Sequence, residues 1–259
     1  MTPAFAKYEG LGNDFVVLDA PGGLLPSADL VRAVCDRHFG VGADGVLVVG
    51  PPRSAGARAS MTVLNADGSR PEMCGNGLRC VAVHLAAAGG DASFVVDTDA
   101  GPRACRVEAG AVEIDMGRLR DEGPIELDLD GEALTFARVS AGNPHAITFA
   151  PLGAGALARV GPAVATHPAF PAGTNVELAR VEGAGISLVV WERGVGPTLA
   201  CGTGACATVG AACLAGLAPF DTWVDVALPG GHLAVRVARD DLAATMRGPA
   251  RRVFAGTLA

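Results

Sequence analysis

Short apolar runs, rich in valine and bounded by Gly, Pro or Asp, recur along the whole 259-residue chain. Because β-branched runs between turn-forming residues are typical of strands, the pattern predicts many short strands in both halves. In the first half the predicted strands, besides one around Lys7, are Phe15–Asp19, Val46–Val49, Arg58–Leu64, Phe94–Asp97, Ala104–Glu108 and Val112–Met116. In the second half they are Leu134–Ser140, Ala146–Phe149, Asn175–Arg180, Ile186–Trp191, Trp223–Leu228 and Leu233–Ala238.

Two other stretches, Leu78–Ala88 and Gly204–Ala215, are apolar on nearly every side and are followed by glycine. A helix that is apolar all round is buried all round. Each stretch is therefore predicted to form a central helix with strands wrapped around it. Ser27 is expected to cap a short outer helix at Ala28–Asp36, since serine is a preferred residue at that position. The predicted fold class is α+β.

The chain also repeats itself at long range. The pair Gly12-Asn13 recurs as Gly142-Asn143, and the segment Met73–Gly77 recurs as Ala200–Gly204, at offsets of 130 and 127 residues. Self-similarity at a nearly fixed offset indicates duplication. The sequence therefore predicts two similar domains, each a mostly antiparallel strand barrel around a central buried helix. The expected domains are residues 1–117, joined by a C-terminal strand at about 248–259, and residues 118–247.

Composition narrows the classes of partner and cofactor. The formal net charge is −7 and the basic residues form no cluster, which argues against nucleic acid as a partner. Lys7 is the single lysine, so a pyridoxal phosphate Schiff base has only one candidate residue, and we expect no cofactor. Because the N-terminus lacks the pattern of a secretory signal, the cytoplasm is the expected location.

One uncharged stretch has to be considered as a membrane-spanning segment. Gly194–Phe220 carries no charged residue and is long enough to cross a bilayer. Its prolines and glycines, and its scarcity of Leu, Ile and Phe, favour instead a loop followed by a buried helix. We therefore expect no membrane-spanning segment.

The seven cysteines are an odd number without the dense spacing of a disulfide scaffold. Five residues separate Cys74 from Cys80, and four separate Cys201 from Cys206. Zinc pairs are typically separated by two residues, and no nearby histidine completes either set. No metal site is expected.

Cys74 and Cys201 each precede one of the predicted central helices, in the repeated element Cys-Gly-x-Gly. A helix start offers unpaired N–H groups and the positive end of the helix dipole, which favour a thiolate. Two such cysteines on opposite sides of one carbon could remove a proton from one face and deliver one to the other. That is the chemistry of a racemase or epimerase without cofactor. Two alternatives stay open, namely buried structural cysteines and a thiol redox or metal-binding protein.

Several polar residues lie near the cysteine elements, some at repeat-equivalent positions. Arg193 is either a bidentate clamp for a second carboxylate or a solvated loop charge. His145 could tune a cysteine or a substrate group. Four asparagines are either turn formers or ligands for carboxylate and amine groups; these are Asn13, Asn65, Asn143 and Asn175.

Six stretches of the chain resemble bacterial diaminopimelate epimerases, and the resemblance covers essentially the whole length. They are Gly10–Val16, Asn65–Ser69, Met73–Gly77, Gly142–His145, Glu192–Gly194 and Ala200–Gly204. Together these motifs are highly specific, whereas either Cys-Gly element alone indicates only the wider racemase superfamily.

The resemblance implies interconversion of LL- and meso-2,6-diaminopimelate in bacterial lysine and peptidoglycan precursor synthesis, without cofactor or metal. It implies that Cys74 and Cys201 are the two acid/base residues and that His145 and Glu192 influence catalysis. The substrate-binding residues that it implies are Asn13, Asn65, Gly75, Asn76, Asn143, Asn175, Glu192, Arg193, Gly202 and Thr203. A proline or hydroxyproline racemase shares the paired cysteines, but its substrate has no second amino-acid centre for Arg193 to hold.

Two positions depart from the family pattern. Some members carry a substrate-contacting glutamine where this chain has Gly45, so that contact is absent here or made by the backbone. A tyrosine near the C-terminus helps some members to form a homodimer, and this chain offers Phe254 instead. We expect a homodimer, without the contribution of that hydroxyl.

Overall fold

The computed structural model describes residues 4–71, 73–129, 131–153 and 155–258. The chain divides into two compact units. Unit 1 comprises the chain up to Ile114 together with the C-terminal segment from Gly248, and unit 2 is Asp115–Arg247. The division falls inside one strand, β7 (Ala111–Arg118), and next to the middle of another, β16 (Ala243–Pro249).

The described residues of unit 1 form one continuous sheet and two helices. Its strands, besides β7, are β1 (Ala4–Gly10), β2 (Asn13–Asp19), β3 (Gly45–Gly50), β4 (Ala57–Asn65), β5 (Ser93–Thr98), β6 (Gly101–Glu108) and β17 (Arg251–Thr257). The helices are α1 (Ala28–Cys35) and α2 (Gly75–Ala87). The strands follow the order β17-β1-β2-β3-β4-β5-β6-β7, in which only the pairs β2–β3 and β4–β5 are parallel.

Unit 2 has the same organisation. Its strands, besides β16, are β8 (Arg120–Leu129), β9 (Glu132–Ser140), β10 (Pro144–Thr148), β11 (Asn175–Glu182), β12 (Gly185–Glu192), β13 (Gly196–Thr198), β14 (Val224–Leu228) and β15 (Gly231–Val237). The helices are α3 (Ala156–Ala165) and α4 (Gly202–Leu214). The order is β8-β9-β10-β11-β12-β14-β15-β16, with β13 paired to β12, and only β10–β11 and β12–β14 are parallel.

The two strand orders therefore show the same succession of antiparallel and parallel pairs. An outer helix precedes the fourth strand of each series, and a central helix precedes the sixth. Arg79 Nε of α2 donates to Pro249 O at 3.0 Å, so the C-terminal segment is tied to the central helix of unit 1. The predicted α+β class and the predicted duplication are confirmed.

The central helices are buried because their side chains are small and apolar. In α2 the stretch from Gly75 to Ala82 is buried, and in α4 the stretch from Gly202 to Cys213 is buried. The amide of Leu30 donates to the hydroxyl of Ser27 at 3.2 Å, so the predicted cap of α1 is present. No helix in the described parts of the chain has both the length and the hydropathy that a membrane span requires.

Four elements lie outside the predicted set, namely β8, α3, β13 and β16. Helix α3 contains Pro162 and begins after Gly155, which has the left-handed φ of 82°. Both are weak helix signals, and the helix is stabilised by packing its buried face on β11 and β12. The central helices also begin two or three residues earlier than predicted, because the glycines after each cysteine are helical.

Candidate functional site

Each repeated cysteine is the N-cap residue of a central helix. Cys74 has extended backbone angles, φ −143° and ψ 108°, and its sulfur accepts a hydrogen bond from the amide of Gly77 at 3.3 Å. Cys201 has φ −125° and ψ 111°, and its sulfur accepts from the amide of Gly204, also at 3.3 Å. The first turn of a helix has amides without intrahelical acceptors. One of those amides is thus donated to sulfur in each unit.

The glycines after each cysteine bring other groups close to the sulfur. A Cβ placed on Gly77 would lie 3.4 Å from Cys74 Sγ and 2.8 Å from a methyl group of Leu47. A Cβ placed on Gly204 would lie 3.3 Å from Cys201 Sγ and 2.6 Å from an oxygen of Glu177. The residue beneath the helix start is therefore apolar in unit 1 and acidic in unit 2.

The two sulfurs differ in exposure. Cys74 is half-buried, whereas Cys201 exposes only 6% of its surface. Burial raises the pKa of the Cys201 thiol well above its usual value, and the carboxylates of Glu192 and Glu177 raise it further. Hydrogen bonds from Thr203 and Gly204 act in the opposite direction without offsetting these effects. At Cys201 desolvation and the two carboxylates thus oppose the helix start, which by itself favours a thiolate.

In unit 1 two of the candidate asparagines are linked beside the start of α2. Asn76 Nδ2 donates to Asn13 Oδ1 at 3.2 Å, and Asn13 Nδ2 donates to Asp44 Oδ2 at 2.7 Å. Gly75 lies between Cys74 and Asn76 at the first position of the helix. The structure thus connects Asn13 and Asn76 to the cysteine element through one short chain of amides.

Asn65 forms a local turn. Its side-chain Nδ2 donates to Ser69 Oγ at 2.9 Å, and its backbone oxygen accepts from Gly68 N at 2.8 Å. Gly45 pairs with Asn65 across β3 and β4. A Cβ on Gly45 would lie only 2.6 Å from Leu64 O, so this backbone leaves no room for a side chain at that position.

In unit 2 a buried pair lies beneath the start of α4. His145 Nδ1 is 2.6 Å from Glu177 Oε1, and neither side chain has any exposed surface. The other ring nitrogen, Nε2, lies 3.0 Å from Asn143 Oδ1. Two of the predicted residues, Asn143 and His145, are thus joined to each other and, through Glu177, to the cysteine helix. Glu177 was not among the predicted site residues.

The side-chain amide of Asn175 bonds to the backbone of two other segments of the chain. Its Nδ2 donates to Pro144 O at 3.0 Å, and its Oδ1 accepts from Arg193 N at 2.9 Å. Arg193 is exposed, and its Nη1 donates to Ala172 O at 2.8 Å. Asn175 therefore positions the Arg193 backbone, while the remaining guanidinium donors of Arg193 stay available for a carboxylate.

Glu192 closes β12 one residue before Arg193. Its Oε1 accepts from the hydroxyl of Thr198 at 2.6 Å, which orients the carboxylate across the β12–β13 turn. Thr203, at the second position of α4, places its hydroxyl 3.4 Å from Cys201 Sγ. Glu192, Thr203 and Gly202 are therefore brought together around Cys201.

The described residues were also searched for disulfides, metal sites and a reactive lysine. All seven cysteines are thiols, and no disulfide links any of them. A search of the described residues finds no group of three His, Cys, Asp or Glu side chains that could hold a metal ion. Lys7 is 5% exposed, its ammonium group lies 2.5 Å from Asp14 Oδ2, and it also donates to Gly42 O.

Comparison with known proteins matches residues 5–120 and 137–253 to the family model described as diaminopimelate epimerase. A diaminopimelate epimerase of Synechocystis sp. is 41% identical over 278 residues, covering 99% of this chain and 99% of that protein. One of Desulforudis audaxviator is 43% identical over 275 residues, covering 97% and 98%. Among solved structures, a hydroxyproline epimerase from Agrobacterium vitis has a TM-score of 0.77 at 15% identity, covering 100% and 92%.

Proposed function

Because the chain belongs to the diaminopimelate epimerase family, we propose that it interconverts LL- and meso-2,6-diaminopimelate by proton transfer at the α-carbon. The reaction serves bacterial lysine and peptidoglycan precursor synthesis. The observation that carries the chemistry is the shared geometry of Cys74 and Cys201, each an N-cap whose sulfur accepts the third helical amide. A two-base reaction needs two such groups, one for each face of the carbon.

The charge states of the two cysteines decide which is the acid and which is the base. A thiolate removes the proton from one face while a thiol delivers one to the other. Burial raises the pKa of the Cys201 thiol, and Glu192 and Glu177 raise it further, so this thiol keeps its proton before substrate binds. Cys201 is therefore the acid in the resting enzyme, and Cys74, which is more exposed, is the base. After one turnover the sulfurs have exchanged these states.

The helix starts stabilise the negative charge that develops on the substrate carboxylate. Removal of the α-proton adds charge to a group that is already anionic, so preorganised N–H donors lower the barrier. The amides of the first turns supply them, at Gly75 and Asn76 in α2 and at Gly202 and Thr203 in α4. Glycine at the first position in both helices lets a ligand approach the backbone closely.

The remaining site residues recognise the rest of the substrate. Arg193 pairs with the distal carboxylate in bidentate geometry, from a backbone held by Asn175. Glu192 accepts from an ammonium group. Recognition of the distal amino-acid centre also involves Asn13, Asn65 and Asn143.

The protein needs no pyridoxal phosphate in this proposal. The single lysine, Lys7, is buried and pairs with Asp14, so it does not present a free amine for a Schiff base. Sulfur atoms transfer the proton, and backbone amides stabilise the developing charge.

A single assay tests the proposed substrate. Reduced protein treated with a chelator is incubated with LL-diaminopimelate or with L-proline, and the stereoisomers are separated. We expect full turnover of the first substrate and none of the second. Turnover of proline, or activity that requires added metal or an oxidant, would instead support the racemase or the redox alternative.

We also propose a homodimer formed through β17, in the cytoplasm. All seven residues of β17, Arg251–Thr257, are exposed, and among the described strands β17 pairs only with β1. Phe254 is 46% exposed and stacks edge-on against Phe5, with the ring centroids 5.9 Å apart. An exposed strand edge with an aromatic residue is suited to pairing with a second copy.

Sedimentation velocity tests this arrangement. Phe254→Arg should convert the dimer to a monomer, while Leu24→Arg, which changes another exposed apolar residue (84% exposed), should leave it intact. A dimer in both variants would rule out the β17 interface.

A further inference from the structure

Glu177 has no assigned part in the reaction, yet it is the most completely buried acidic residue near the cysteines. It is the third residue of β11, and its side chain has no exposed surface. One carboxylate oxygen binds His145, and the other, Oε2, is buried without a hydrogen-bond partner among the described residues. A buried acid of this kind is costly unless something is gained from it.

Because the two units are duplicates, unit 1 shows which residues occupy the positions of Glu177 and His145 there. In unit 1, β2 and β3 pair in parallel with Phe15 opposite Gly45 and Val17 opposite Leu47. In unit 2, β10 and β11 pair with His145 opposite Asn175 and Ile147 opposite Glu177. The register therefore matches His145 to Phe15 and Glu177 to Leu47.

The packing requirement alone does not explain the charged pair. Phe15 and Leu47 are 3% and 0% exposed, and Leu47 lies beneath Gly77 as Glu177 lies beneath Gly204. An apolar pair thus fills the same place under the other central helix. Replacing a buried ion pair by apolar residues is often neutral or stabilising. The His145–Glu177 pair therefore has a purpose other than stabilising the fold.

Both ring nitrogens of His145 face oxygen atoms. Glu177 Oε1 lies 2.6 Å from Nδ1, and Asn143 Oδ1 lies 3.0 Å from Nε2. A carboxylate only accepts hydrogen bonds, and an amide oxygen also accepts. The ring that satisfies both contacts is an imidazolium, which donates from both nitrogens. The carboxylate that balances it lies at the N-terminus of α4, where the helix dipole favours negative charge.

We propose that Glu177 is a positioning residue, which holds His145 as an imidazolium and through it fixes the side-chain amide of Asn143. With its oxygen held by His145, Asn143 presents its NH₂ group as the donor for the substrate carboxylate. This inference rests on the proposed function, since it assigns Asn143 to that substrate.

Glu177→Gln separates charge from shape. Glutamine has nearly the same volume and can still accept from Nδ1, but the imidazole then becomes neutral and Nε2 becomes an acceptor. The amide of Asn143 must turn to donate to it, which presents oxygen instead of NH₂ to the substrate carboxylate. Because this changes binding in the ground state and transition state alike, KM should rise about tenfold to a hundredfold while kcat changes less.

The experiment combines kinetics with ¹⁵N NMR of labelled histidine. In the wild type at pH 8 we expect one imidazolium, which disappears in His145→Phe and is therefore assigned to His145. In Glu177→Gln the same signals should report a neutral ring, together with the rise in KM. Glu126→Gln removes an exposed glutamate of β8 as a matched control and should change neither reading.

The double variant His145→Phe/Glu177→Leu copies the pair found in unit 1. It should fold and melt at or above the wild-type temperature, yet lose affinity for the substrate as Glu177→Gln does. An unchanged KM in Glu177→Gln, or a neutral His145 in the wild type, overturns the proposal. If the wild-type protein does not epimerise diaminopimelate, the proposed function fails, and the NMR result still decides whether Glu177 holds an imidazolium.

Discussion

Substituting alanine for Gly204 introduces one methyl group where the buried His145–Glu177 pair lies beneath the start of α4. The new Cβ would lie 2.6 Å from Glu177 Oε1 and 3.3 Å from Cys201 Sγ. Gly77→Ala is the matched control, because its Cβ would lie 2.8 Å from Leu47 Cδ2 and 3.4 Å from Cys74 Sγ. The two substitutions are equivalent in the repeat and differ in what the methyl group displaces.

The magnitudes follow from those neighbours. Alanine is favoured over glycine within a helix by about 1 kcal/mol, which benefits both variants. Leu47 can rotate its terminal methyl groups away, so the strain and the helix gain nearly cancel in Gly77→Ala. Glu177 cannot yield without stretching its 2.6 Å bond to His145. Crowding costs about 1–3 kcal/mol, and stretching the buried pair adds part of the about 3–5 kcal/mol that its complete loss would cost. After the helix gain is subtracted, we expect Gly204→Ala to be destabilised by roughly 2–4 kcal/mol.

Calorimetric melting measures the difference. At about 2–4 °C per kcal/mol for a chain of this size, Gly204→Ala should melt roughly 5–10 °C below Gly77→Ala, which should stay close to the wild type. Both variants should lose activity, because each methyl group touches a cysteine sulfur. Equal melting temperatures for the two variants would refute the reasoning that Glu177 is rigidly held.

Three further predictions follow from burial and backbone geometry. Iodoacetamide at pH 7 should alkylate Cys74 before Cys201, since the latter is buried with a raised pKa; mapping by mass spectrometry should show this order, and faster labelling of Cys201 would contradict its role as resting acid. The hydrogen bond from the Ser54 side chain, chief among several donors, holds the pKa of Asp97 below 3.8, so Asp97 stabilises the fold above about pH 4 and this contribution is lost as pH falls through its lowered pKa. Urea unfolding should therefore show Asp97→Asn less stable at pH 7, with the gap closing in acid, and a gap independent of pH would contradict it. Gly45→Ala should lower the melting temperature, because its Cβ would lie 2.6 Å from a backbone oxygen; an unchanged value would show that β3 can shift.

The positions of the cysteines could be predicted from the sequence because the signal is local. A glycine-rich element before an apolar stretch indicates a helix start, and its repetition at Cys74 and Cys201 strengthens that prediction. The structure confirms that a helix begins directly after each cysteine. The long apolar helices were equally predictable, since their composition leaves no face for solvent.

The charge state of Cys201 could not be predicted in the same way. It depends on burial and on Glu177 and Glu192, which lie 24 and 9 residues away along the chain. The local helix dipole, which lowers the pKa of a cysteine, was the only effect visible in the sequence. In the folded chain, burial and the two carboxylates raise the pKa of Cys201 instead.

Glu177 was missed for a related reason. In the sequence it is a single acidic residue in a strand, and such residues are usually solvent-facing. Only the register of β11 against β10 turns it inward toward His145. A comparison of the repeats was the available signal, since the matching residue of the first half is Leu47.

The asparagines show that one residue type can have two kinds of role. Asn65 binds the hydroxyl of Ser69 within its own turn, as the turn-former interpretation predicts. Asn175 instead bonds to the backbone of Pro144 and Arg193, 31 and 18 residues away along the chain. Asn13 and Asn143 bind other site residues. Their contacts with the substrate, and the domain boundaries at 117 and 248, stay predictions.

The most direct test of the two-base scheme is deuterium incorporation at the α-carbon of LL-diaminopimelate in D₂O. At early times the wild-type enzyme should place deuterium in the newly formed meso isomer, while the recovered LL isomer keeps its hydrogen, because separate groups remove and deliver the proton. Cys74→Ala and Cys201→Ala should each form no product. Normal epimerisation by either variant, or return of the original hydrogen to the product, would contradict the account.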